Sequence, residues 1–537
     1  MSAALRGVWG VVPPQGMEVI PGWTSGLAVD ELSGILLVTL VVVLVAVLAY
    51  ASGEGYGARF FVLMLVFAAA MAVTVTASDL LVLLMGWEVM GAMSYALIGY
   101  VWSDAERVRS ANVAFLTTRA ADMGLYMAAG FAIAGAHSLR LDDLPHADEP
   151  WRSLVAAGVV VAALGKSAQL PFSFWLSRAM AGPSPVSALL HSATMVVAGA
   201  YLLLRLRPLL DATGWAATAV SWAGALTALL LGAVALAQRD LKQLLAASTC
   251  AQIGFMVLAA GAGAVDGGTA QLVAHAAVKS LLFLCAGMWL ARRGSDRWVD
   301  VVFGVGAIAL AGVPPLSLWV TKDEVLAGVG EQSSALLAVA FAASVLSAAY
   351  AGKALLWLFR AGERVRVPWS QRVPLAGLAI AAAGLGVLGL PGILGEPGPD
   401  AWELVLSGVL AVVTVGAVLT VRRVPEPAWG LQWLWLERVA VVGVVRPGFA
   451  VARALARFDD QVVDGAVQGI ARGGLWTAGL TRRRVEFRVD GLVGAVGRAA
   501  RSLAALARRP QTGQLHLYYA QAAVVLAVLV VIAVLAG

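Results

Sequence analysis

The amino-acid sequence predicts an all-α polytopic membrane protein. Of its 537 residues, 60% are hydrophobic and only 13% are charged, whereas about 25% are charged in an average soluble domain. Apolar runs of the roughly 20 residues that cross a bilayer recur along almost the whole chain. None alternates apolar and polar residues as barrel strands do. These observations exclude a soluble enzyme, a disordered chain and a disulfide scaffold.

The apolar runs predict about fourteen transmembrane helices. They lie near residues 32–50, 60–77, 80–101, 112–135, 153–176, 182–205, 215–238, 242–263, 267–292, 299–330, 333–360, 371–395, 400–421 and 517–537. The run at 299–330 is too long for one straight helix, so we expect it to be broken.

The order of the spans predicts six segments. A Pro-broken helix with a lysine nearby occurs twice, and two broken helices in two halves of a transporter suggest inverted repeats with a path at their interface. The segments are an N-terminal segment with the first helix (1–59), a first inverted repeat of a proton-channel core (60–205), a second inverted repeat (206–360), additional transmembrane helices (361–421), an amphipathic lateral helix (422–516) and a terminal anchor helix (517–537).

Lysine is rare, and most of it lies in the apolar spans. Only five of the 38 basic residues are lysine, and four lie in or at the edge of an apolar run: Lys166, Lys279, Lys322 and Lys353. A buried lysine can release its proton, whereas arginine stays charged. Because a mid-membrane charge costs about 2.5–3.5 kcal/mol on insertion scales, these lysines indicate proton-releasing groups. Genomic bias is the alternative explanation.

Charged residues interrupt two of the early spans. Glu88 has apolar neighbours on both sides. We interpret it as a proton carrier that a lysine approaches and leaves, with a purely structural glutamate as the alternative. Arg119 and Asp122 are three residues apart and therefore share one helix face, where they form either a fixed intrahelical ion pair or a gating pair.

Lys166 lies beside a predicted helix break. Pro171 removes a backbone hydrogen bond, and a broken transmembrane helix is tolerated only where it faces protein or a water-filled cavity. The next span carries Ser187, His191 and Thr194 at offsets of four and seven, which predicts one polar stripe. We interpret Lys166 and His191 as members of a proton relay, with a hydrogen-bonded core histidine as the alternative.

The span at 267–292 carries the strongest polar pattern on a single helix. Gln271, His275 and Lys279 recur every four residues, which predicts a polar line about 12 Å long. The following run contains GVPP at 312–315 and then TKDE at 321–324. This repeats the broken-helix pattern with proline and lysine in reverse order.

Residues 422–516 differ in composition from the spans. They contain fifteen arginines and no lysine, and apolar residues recur there at helical spacing. A helix with an Arg-rich polar face lies along a membrane surface, and positive residues favour the cytoplasmic side. We therefore predict a surface helix that leans on neighbouring subunits. It also accounts for the net charge of +6, so no nucleic-acid role follows.

Seven motifs follow one another along the chain. They are GWEVMGAMSYALIGY, GKSAQLPFSFWL, GPSPVSALLHSATMVVAGAYLLLR, DLKQLLAASTCAQIGFM, HAAVKSLLFL, TKDEVLAG and QTGQLHLYY. In these motifs and their order, the chain resembles the antiporter-like subunit L family of NADH-quinone oxidoreductase, the respiratory complex I. That family shares its core with subunits of Mrp-type cation/proton antiporters. The resemblance runs from about Leu27 to the C-terminus.

The resemblance implies a role for each buried polar position. It implies a proton relay through Glu88, Lys166, His191, Lys279 and Lys322, with Arg119, Asp122, His275 and Asp323 in support. The sequence also departs from the family at several points, among them its start and position 271. Two further helices that usually open it are missing, and Gln271 stands where the family often has a histidine, so this position cannot titrate.

These observations predict a proton-translocating membrane-arm subunit of complex I in the inner, cytoplasmic membrane. It couples quinone reduction elsewhere to proton pumping, as a translocase subunit without redox cofactor or metal. Its expected partners are the other membrane-arm subunits and the lipid bilayer. The alternatives are an Mrp-like cation/proton antiporter, an inorganic-carbon uptake subunit and a non-pumping structural subunit. The tail favours complex I, because we expect an antiporter not to need it.

Overall fold

The computed structural model describes residues 12–20, 23–292, 294–359, 363–364, 367–389 and 399–536. Contacts divide the chain into two units, Met1–Val439 and Ala440–Gly537. Every residue that the sequence predicts as a site residue lies in the first unit.

The first unit is a helical bundle that follows a β-hairpin. In the hairpin, β1 (Val12–Ile20) pairs antiparallel with β2 (Trp23–Val29), and a short parallel pair joins β3 (Gly294–Ser295) to β4 (Glu363–Arg364). The helices are α1 (Glu31–Ser52), α2 (Ala58–Thr76), α3 (Leu80–Ile98), α4 (Ala105–Ala136), α5 (Trp151–Lys166), α6 (Phe174–Ala179), α7 (Ser184–Ser192), α8 (Met195–Arg205), α9 (Arg207–Thr213), α10 (Trp215–Ala237), α11 (Leu241–Ala262), α12 (Val265–Arg292), α13 (Arg297–Ala311), α14 (Ser317–Gly330), α15 (Ser334–Leu355), α16 (Trp369–Gly384), α17 (Ala401–Val421), α18 (Ala428–Leu431) and α19 (Leu436–Ala440).

Within the described residues, twelve helices are long and apolar enough to cross a membrane. The predicted runs at 112–135, 153–176 and 299–330 are not among them. The first lies in α4, which carries several charged residues, and the other two are each split into two short helices. The twelve include Trp433–Arg508, whose 76 residues would extend about 114 Å as a helix, far more than a bilayer's thickness.

Both predicted helix breaks are present. α5 ends at Lys166, and α6 begins only at Phe174, beyond Pro171. α13 ends at Ala311, where Gly312 has a φ of 75°, a left-handed conformation that glycine adopts without strain. α14 then begins at Ser317.

A third break occurs where the sequence predicts one polar stripe. α7 ends at Ser192 and α8 begins at Met195, so Thr194 is outside both helices. Its hydroxyl donates to the carbonyl of Leu189 at 2.7 Å, and such side-chain bonds compete with regular helical hydrogen bonding. The predicted stripe is therefore confined to Ser187 and His191.

Successive spans run in opposite directions, so their ends alternate between two faces of the first unit. One face carries the start of α1 and the ends of α8 and α14, and we call it the acidic face. There Arg205 pairs with Asp30. Its arginines are Arg140, Arg152, Arg205 and Arg207. The basic face carries Arg59, Arg107, Arg109, Arg178, Arg239, Lys242, Arg297, Arg372, Arg422 and Arg423.

The second unit is helical from Ala440 to Arg508 and again from Leu515 to Ala536, with a non-helical connection at 509–514. Its helices are α20 (Arg446–Phe458), α21 (Asp464–Thr481), α22 (Phe487–Arg508) and α23 (Leu515–Ala536), with π-helical turns at Val441–Val445, Asp459–Val463 and Arg482–Glu486. The predicted amphipathic region and terminal span are thus both helical. Large apolar side chains such as Leu475 and Trp476 are exposed there.

Candidate functional site

Buried polar side chains occupy the interior of the first unit. Lys166, His191, His275 and Lys279 are completely buried, and Lys322 is 2% exposed. Burying polar groups is costly unless they are hydrogen-bonded, so the partners of each of these residues indicate what it can do.

The Lys166 ammonium group lies in a cluster formed by three helices. It donates to Asp122 of α4 at 3.0 Å, and it lies 4.9 Å from the centre of the Trp87 ring of α3. The Trp87 indole nitrogen in turn donates to the other carboxylate oxygen of Asp122 at 2.6 Å. The Lys166 ammonium group thus faces a carboxylate on one side and an aromatic ring on the other, two groups that attract a cation.

Glu88 has a different partner from the one that the sequence suggests. Its carboxylate contacts Arg119, while Asp122 is the carboxylate that contacts Lys166. The expected pair between Arg119 and Asp122 is replaced by two pairs that each join different helices. Glu88 and Arg119 are partly exposed, at 26% and 36% of their side-chain surface, whereas the Lys166–Asp122 pair is buried.

The break after Lys166 is held by side chains that replace the lost backbone hydrogen bonds. Gln169 donates to the carbonyls of Ser167 at 2.9 Å and of Cys250 at 3.3 Å, and Trp175 donates to that of Gly165 at 2.9 Å. Thr227 of α10 accepts from the Leu170 amide at 3.2 Å. The break is therefore a fixed part of the structure that places Lys166 at a helix end.

Two histidines lie between the first and the second broken helix. Both ring nitrogens of His191 lack a hydrogen-bond partner among the described residues, as do those of His275. His275 lies beside the main chain of His191. Next to them, the hydroxyls of Ser192 on α7 and Ser280 on α12 are 2.6 Å apart, and either can be the donor.

Lys279 has only neutral partners. Its amino group donates to the carbonyl of Leu245 at 3.1 Å and contacts the hydroxyl of Ser248, both on α11. Among the described residues, no carboxylate lies within ion-pair distance of it. A lysine in such surroundings is poorly stabilised as a cation and can release its proton.

Gln271 connects α12 to its neighbours on both sides. It donates to the side-chain oxygen of Gln252 on α11 at 2.8 Å, and it accepts from the Thr321 hydroxyl on α14 at 2.6 Å. Gln271, His275 and Lys279 all lie on the single helix α12, as predicted. The amide cannot titrate, but it holds three helices together at the level of the second break.

The Lys322 amino group is part of the same network. It donates to the Ser347 hydroxyl on α15 at 2.9 Å, and it lies 5.7 Å from the centre of the Phe255 ring. Gln252 donates to Ser347 at 3.0 Å and to the Tyr350 hydroxyl at 2.7 Å. Lys322 is thus connected to Gln271 through hydroxyl and amide groups only.

Asp323 points away from its neighbour Lys322. The hydroxyl of Ser407 on α17 donates to its carboxylate, and that hydroxyl also accepts from the Trp319 indole at 3.1 Å. Asp323 therefore connects α14 to the helices outside the two predicted repeats, while its neighbour Glu324 has no such contact.

The two remaining lysines anchor the basic face. Lys353 donates to the Leu236 carbonyl at 2.9 Å and to Glu426 at 3.1 Å. Lys242 donates to the carbonyls of Met180 at 3.0 Å and Gly182 at 2.9 Å. From the sequence, genomic bias was a better explanation for these two lysines than for Lys166 and Lys279, and neither was predicted as a site residue.

Sequence reasoning missed several members of the network. They are Trp87, Ser192, Gln252, Ser248, Ser280, Glu324, Ser347, Tyr350 and Ser407. Ser248 and Gln252 are four residues apart in α11, and Ser347 and Tyr350 are three apart in α15. Residues three or four apart share one face of a helix, and the same spacing identified the polar line of α12. Polar residues at this spacing in α11 and α15 could therefore have been found from the sequence.

The arrangement suits proton movement better than metal chemistry. Three lysines, two histidines and intervening hydroxyl and amide groups lie in the interior, and lysine and histidine both gain and lose protons readily. Within the described part of the chain, no group of three or more His, Cys, Asp or Glu residues is placed to hold a metal ion.

The sequence and the fold are similar to those of known membrane complexes. The family described as NADH:quinone oxidoreductase/Mrp antiporter, TM, matches residues 77–347, about half of the chain. The chain belongs to this family. It is 35% identical over 422 residues to NADH-quinone oxidoreductase subunit L of Escherichia coli strain K12, covering 73% of this chain and 68% of that protein. It spans only about half the length of the chloroplast subunit 5 proteins that it also matches.

Two solved structures share the fold. A chain in the Mrp complex of Dietzia sp. DQ12-45-1b matches with a TM-score of 0.67 and 28% identity, covering 93% of this chain and 58% of that chain. A chain in respiratory complex I of Thermus thermophilus with bound NADH matches with a TM-score of 0.65 and 24% identity, covering 75% and 90%.

The Mrp match corrects one expectation from the sequence. A match to 93% of the chain extends into residues 440–537, because the uncovered share is smaller than this tail. The tail therefore does not separate the complex I type from the Mrp type, and the choice between them rests on other observations.

Proposed function

We propose that the chain is a proton-translocating membrane subunit of an NADH:quinone oxidoreductase of the complex I type. It acts as a translocase and carries out no redox chemistry itself, so the proposal assigns it no cofactor. The observation that carries the proposal is the set of three buried lysines, Lys166, Lys279 and Lys322, which lie on two broken helices and the helix between them. Family membership and the 35% identity to subunit L support it.

The geometry suggests how the charges work together. Lys166 is held as a cation by Asp122, and any movement that separates the two frees the lysine to give up its proton. His191 and His275 lie between this pair and Lys279. Beyond Gln271, Lys322 is the proton-carrying group of the second broken helix. Redox events in partner subunits would act by moving these helices.

The proposed location is the cytoplasmic membrane, with the basic face inside. Loops rich in lysine and arginine stay on the cytoplasmic side, and the basic face carries nine arginines and Lys242, whereas the acidic face carries four arginines. The acidic face, with Asp30, Asp142 and Asp266, then faces outward. The proposed partners are the other membrane subunits of the complex, besides the lipid bilayer.

A second candidate is an Mrp-like cation/proton antiporter subunit. The observation in its favour is the 93% coverage by a chain of the Mrp complex. The two functions share the buried lysines and differ in what drives them. One uses electron transfer in partner subunits, and the other uses a gradient of Na⁺ or K⁺.

The deciding experiment purifies the tagged chain from its native membranes and identifies what copurifies. We expect subunits that bind NADH and quinone, and NADH-driven acidification of inverted vesicles that does not require Na⁺ or K⁺. Copurification of small membrane subunits alone, with cation-dependent proton exchange and no response to NADH, would replace the complex I proposal by the antiporter one.

A further inference from the structure

An open cleft lies on the acidic face where the loop between α11 and α12 meets the end of α14. Its lining includes Gly263, Asp266, Gly267, Glu324 and Glu331. Asp266 and Glu331 are exposed at its rim, whereas Glu324 is only 5% exposed and lies at its inner end. The Arg207 guanidinium lies near Gly263.

Glu324 is unusual because one oxygen of its carboxylate is buried and lacks a partner in the described part of the chain. This atom, Oε2, has no hydrogen bond among those residues, and no ion pair to Glu324 is present there. A buried carboxylate without partner is costly, and such groups in a cleft are candidates for function. Within the cleft, the charged groups nearest to Glu324 are Asp266 and Glu331. Along the chain they are Lys322 and Asp323, and the Asp323 carboxylate accepts from the Ser407 hydroxyl.

A missing side chain on α12 makes room for Glu324. Gly267 lies four residues before Gln271, so it is the next position of the line formed by Gln271, His275 and Lys279. A Cβ atom added to Gly267 would lie 3.2 Å from Cγ of Glu324. The Glu324 side chain therefore fills the place at which the polar line of α12 would continue toward the acidic face.

Glu324 is also adjacent to the network on its own helix. Thr321 lies three residues earlier on α14 and donates to Gln271. A Cβ added to Gly389 would lie 3.0 Å from Oε2 of Glu324 and 3.2 Å from the Thr321 amide nitrogen. Both atoms thus line the same small space, between the buried network on one side and the cleft on the other.

We propose that Glu324 is the proton port of the acidic face, the last proton-carrying side chain between the polar line of α12 and outside water. In this step an N–H bond of a protonated lysine in the interior breaks, and its proton passes to the Glu324 carboxylate, which forms an O–H bond. That bond then breaks as the proton passes to a water molecule in the cleft, giving hydronium and restoring the carboxylate. The direction of transport rests on the proposed function, but the access of Glu324 to the outside does not.

Access is tested first, by thiol labelling in sealed vesicles of known orientation. Glu324→Cys should react from the acidic-face side with an impermeant trimethylammonium reagent. Because Asp266 and Glu331 concentrate cations in the cleft, this reaction should be about tenfold or more faster than with the sulfonate analogue. Asp148→Cys, on the same face, is the positive control, and Arg109→Cys, on the basic face, is the control for sidedness. Unmodified protein controls for the buried Cys250 and Cys285.

Reaction of Glu324→Cys only from the basic face, or only after detergent treatment, would overturn the port. Gly267→Ala adds a Cβ atom 3.2 Å from the γ position of residue 324. In the double variant with Glu324→Cys it crowds the sulfur at that position and should lower the labelling rate, while Asp148→Cys still reacts. Unchanged labelling in the double variant would remove the steric part of the argument.

The functional test measures protons moved per NADH oxidised in the intact complex. Glu324→Gln should lower this ratio about tenfold or more, since a positioned proton-transfer group contributes roughly 10²–10⁴. Asp148→Asn, which removes a carboxylate from the same face, should leave it unchanged. A normal ratio for Glu324→Gln beside a low ratio for Lys166→Ala would refute the role of Glu324 as the proton port and leave the proposed function intact. Normal ratios for both variants would refute the proposed function, while the labelling result would still stand.

Discussion

The two broken helices present their lysines to opposite kinds of partner. Lys166 is the last residue of α5, before the break, and donates to a buried carboxylate, Asp122. Lys322 follows the break and donates to a hydroxyl, Ser347, although a carboxylate, Asp323, is its neighbour in the chain. The same sequence pattern thus produces an ion pair in one half and a neutral contact in the other.

The difference shows that the partner, rather than the break, determines the charge that each site favours. An opposite charge nearby stabilises the charged lysine, whereas a buried lysine with neutral partners more easily loses its proton. A relay needs both kinds of site, because a proton moves only where one group holds it less firmly than the next. The following predictions test this comparison.

The largest expected effect is on Lys166. Lys166→Ala should lower the protons moved per NADH about tenfold or more, as expected for the loss of a positioned proton-transfer group. Lys166→Arg should be similarly impaired, because arginine does not release a proton. The matched control is Lys353→Arg, which can keep its contact with Glu426 at the basic face and should pump normally. Full pumping by Lys166→Arg would show that deprotonation at this site is not needed.

The next prediction concerns which carboxylate supports Lys166. Asp122→Asn should lower the unfolding free energy of the chain by about 3–5 kcal/mol, because it leaves a buried cation unpaired. Glu88→Gln should cost less than this, because its pair with Arg119 is only partly buried. Thermal unfolding in the same detergent measures both. Equal losses in the two variants would contradict the assignment of Asp122 as the lysine's partner.

A smaller effect is expected at Ser347, the neutral partner in the second half. Ser347→Ala leaves the Lys322 amino group and a Gln252 donor without their acceptor, which should cost about 1–3 kcal/mol. Because the lost group is uncharged, the loss should be smaller than that of Asp122→Asn in the same unfolding assay. A larger loss at Ser347 would reverse the proposed difference between the two halves.

The smallest effect is expected at Glu426, the carboxylate partner of Lys353. The side chains of Arg239 and Lys353 donate to it and hold the pKa of this carboxyl below its usual value. Its contribution should therefore be present above the pKa of the unfolded state and be lost as the pH falls through the folded value. As a pair at the membrane surface it should contribute less than about 1 kcal/mol. Glu426→Gln should remove this part of the pH dependence of the unfolding free energy. An unchanged pH dependence would show that the pair does not contribute to stability.

Periodicity and proline were sufficient to predict most of the architecture. The break at Pro171, the break near Gly312 and the single helix carrying Gln271, His275 and Lys279 all follow from local sequence rules. The break at Thr194 was missed because it has no proline or glycine and depends on a hydroxyl that turns back onto its own backbone.

The pairing of side chains was harder to predict than the helices. Spacing places Arg119 and Asp122 on one face, but their partners come from α3 and α5, and only tertiary packing decides between partners on different helices. Lys353 illustrates the same limit, because its apolar surroundings in the sequence resemble those of Lys279. Glu324 was overlooked because its importance depends on the absence of a side chain at Gly267.

The contact between Ser192 and Ser280 has a consequence for reversibility. Each hydroxyl has one proton and can both give and accept, and the two oxygens are 2.6 Å apart. The Ser192 hydroxyl also donates to the Ala188 carbonyl on its own helix, so the Ser280 hydroxyl is the one left to donate across the contact. The helix of His191 and the helix of Lys279 are therefore joined by a contact with one defined donor, and both hydroxyls would have to rotate about their C–O bonds to reverse it.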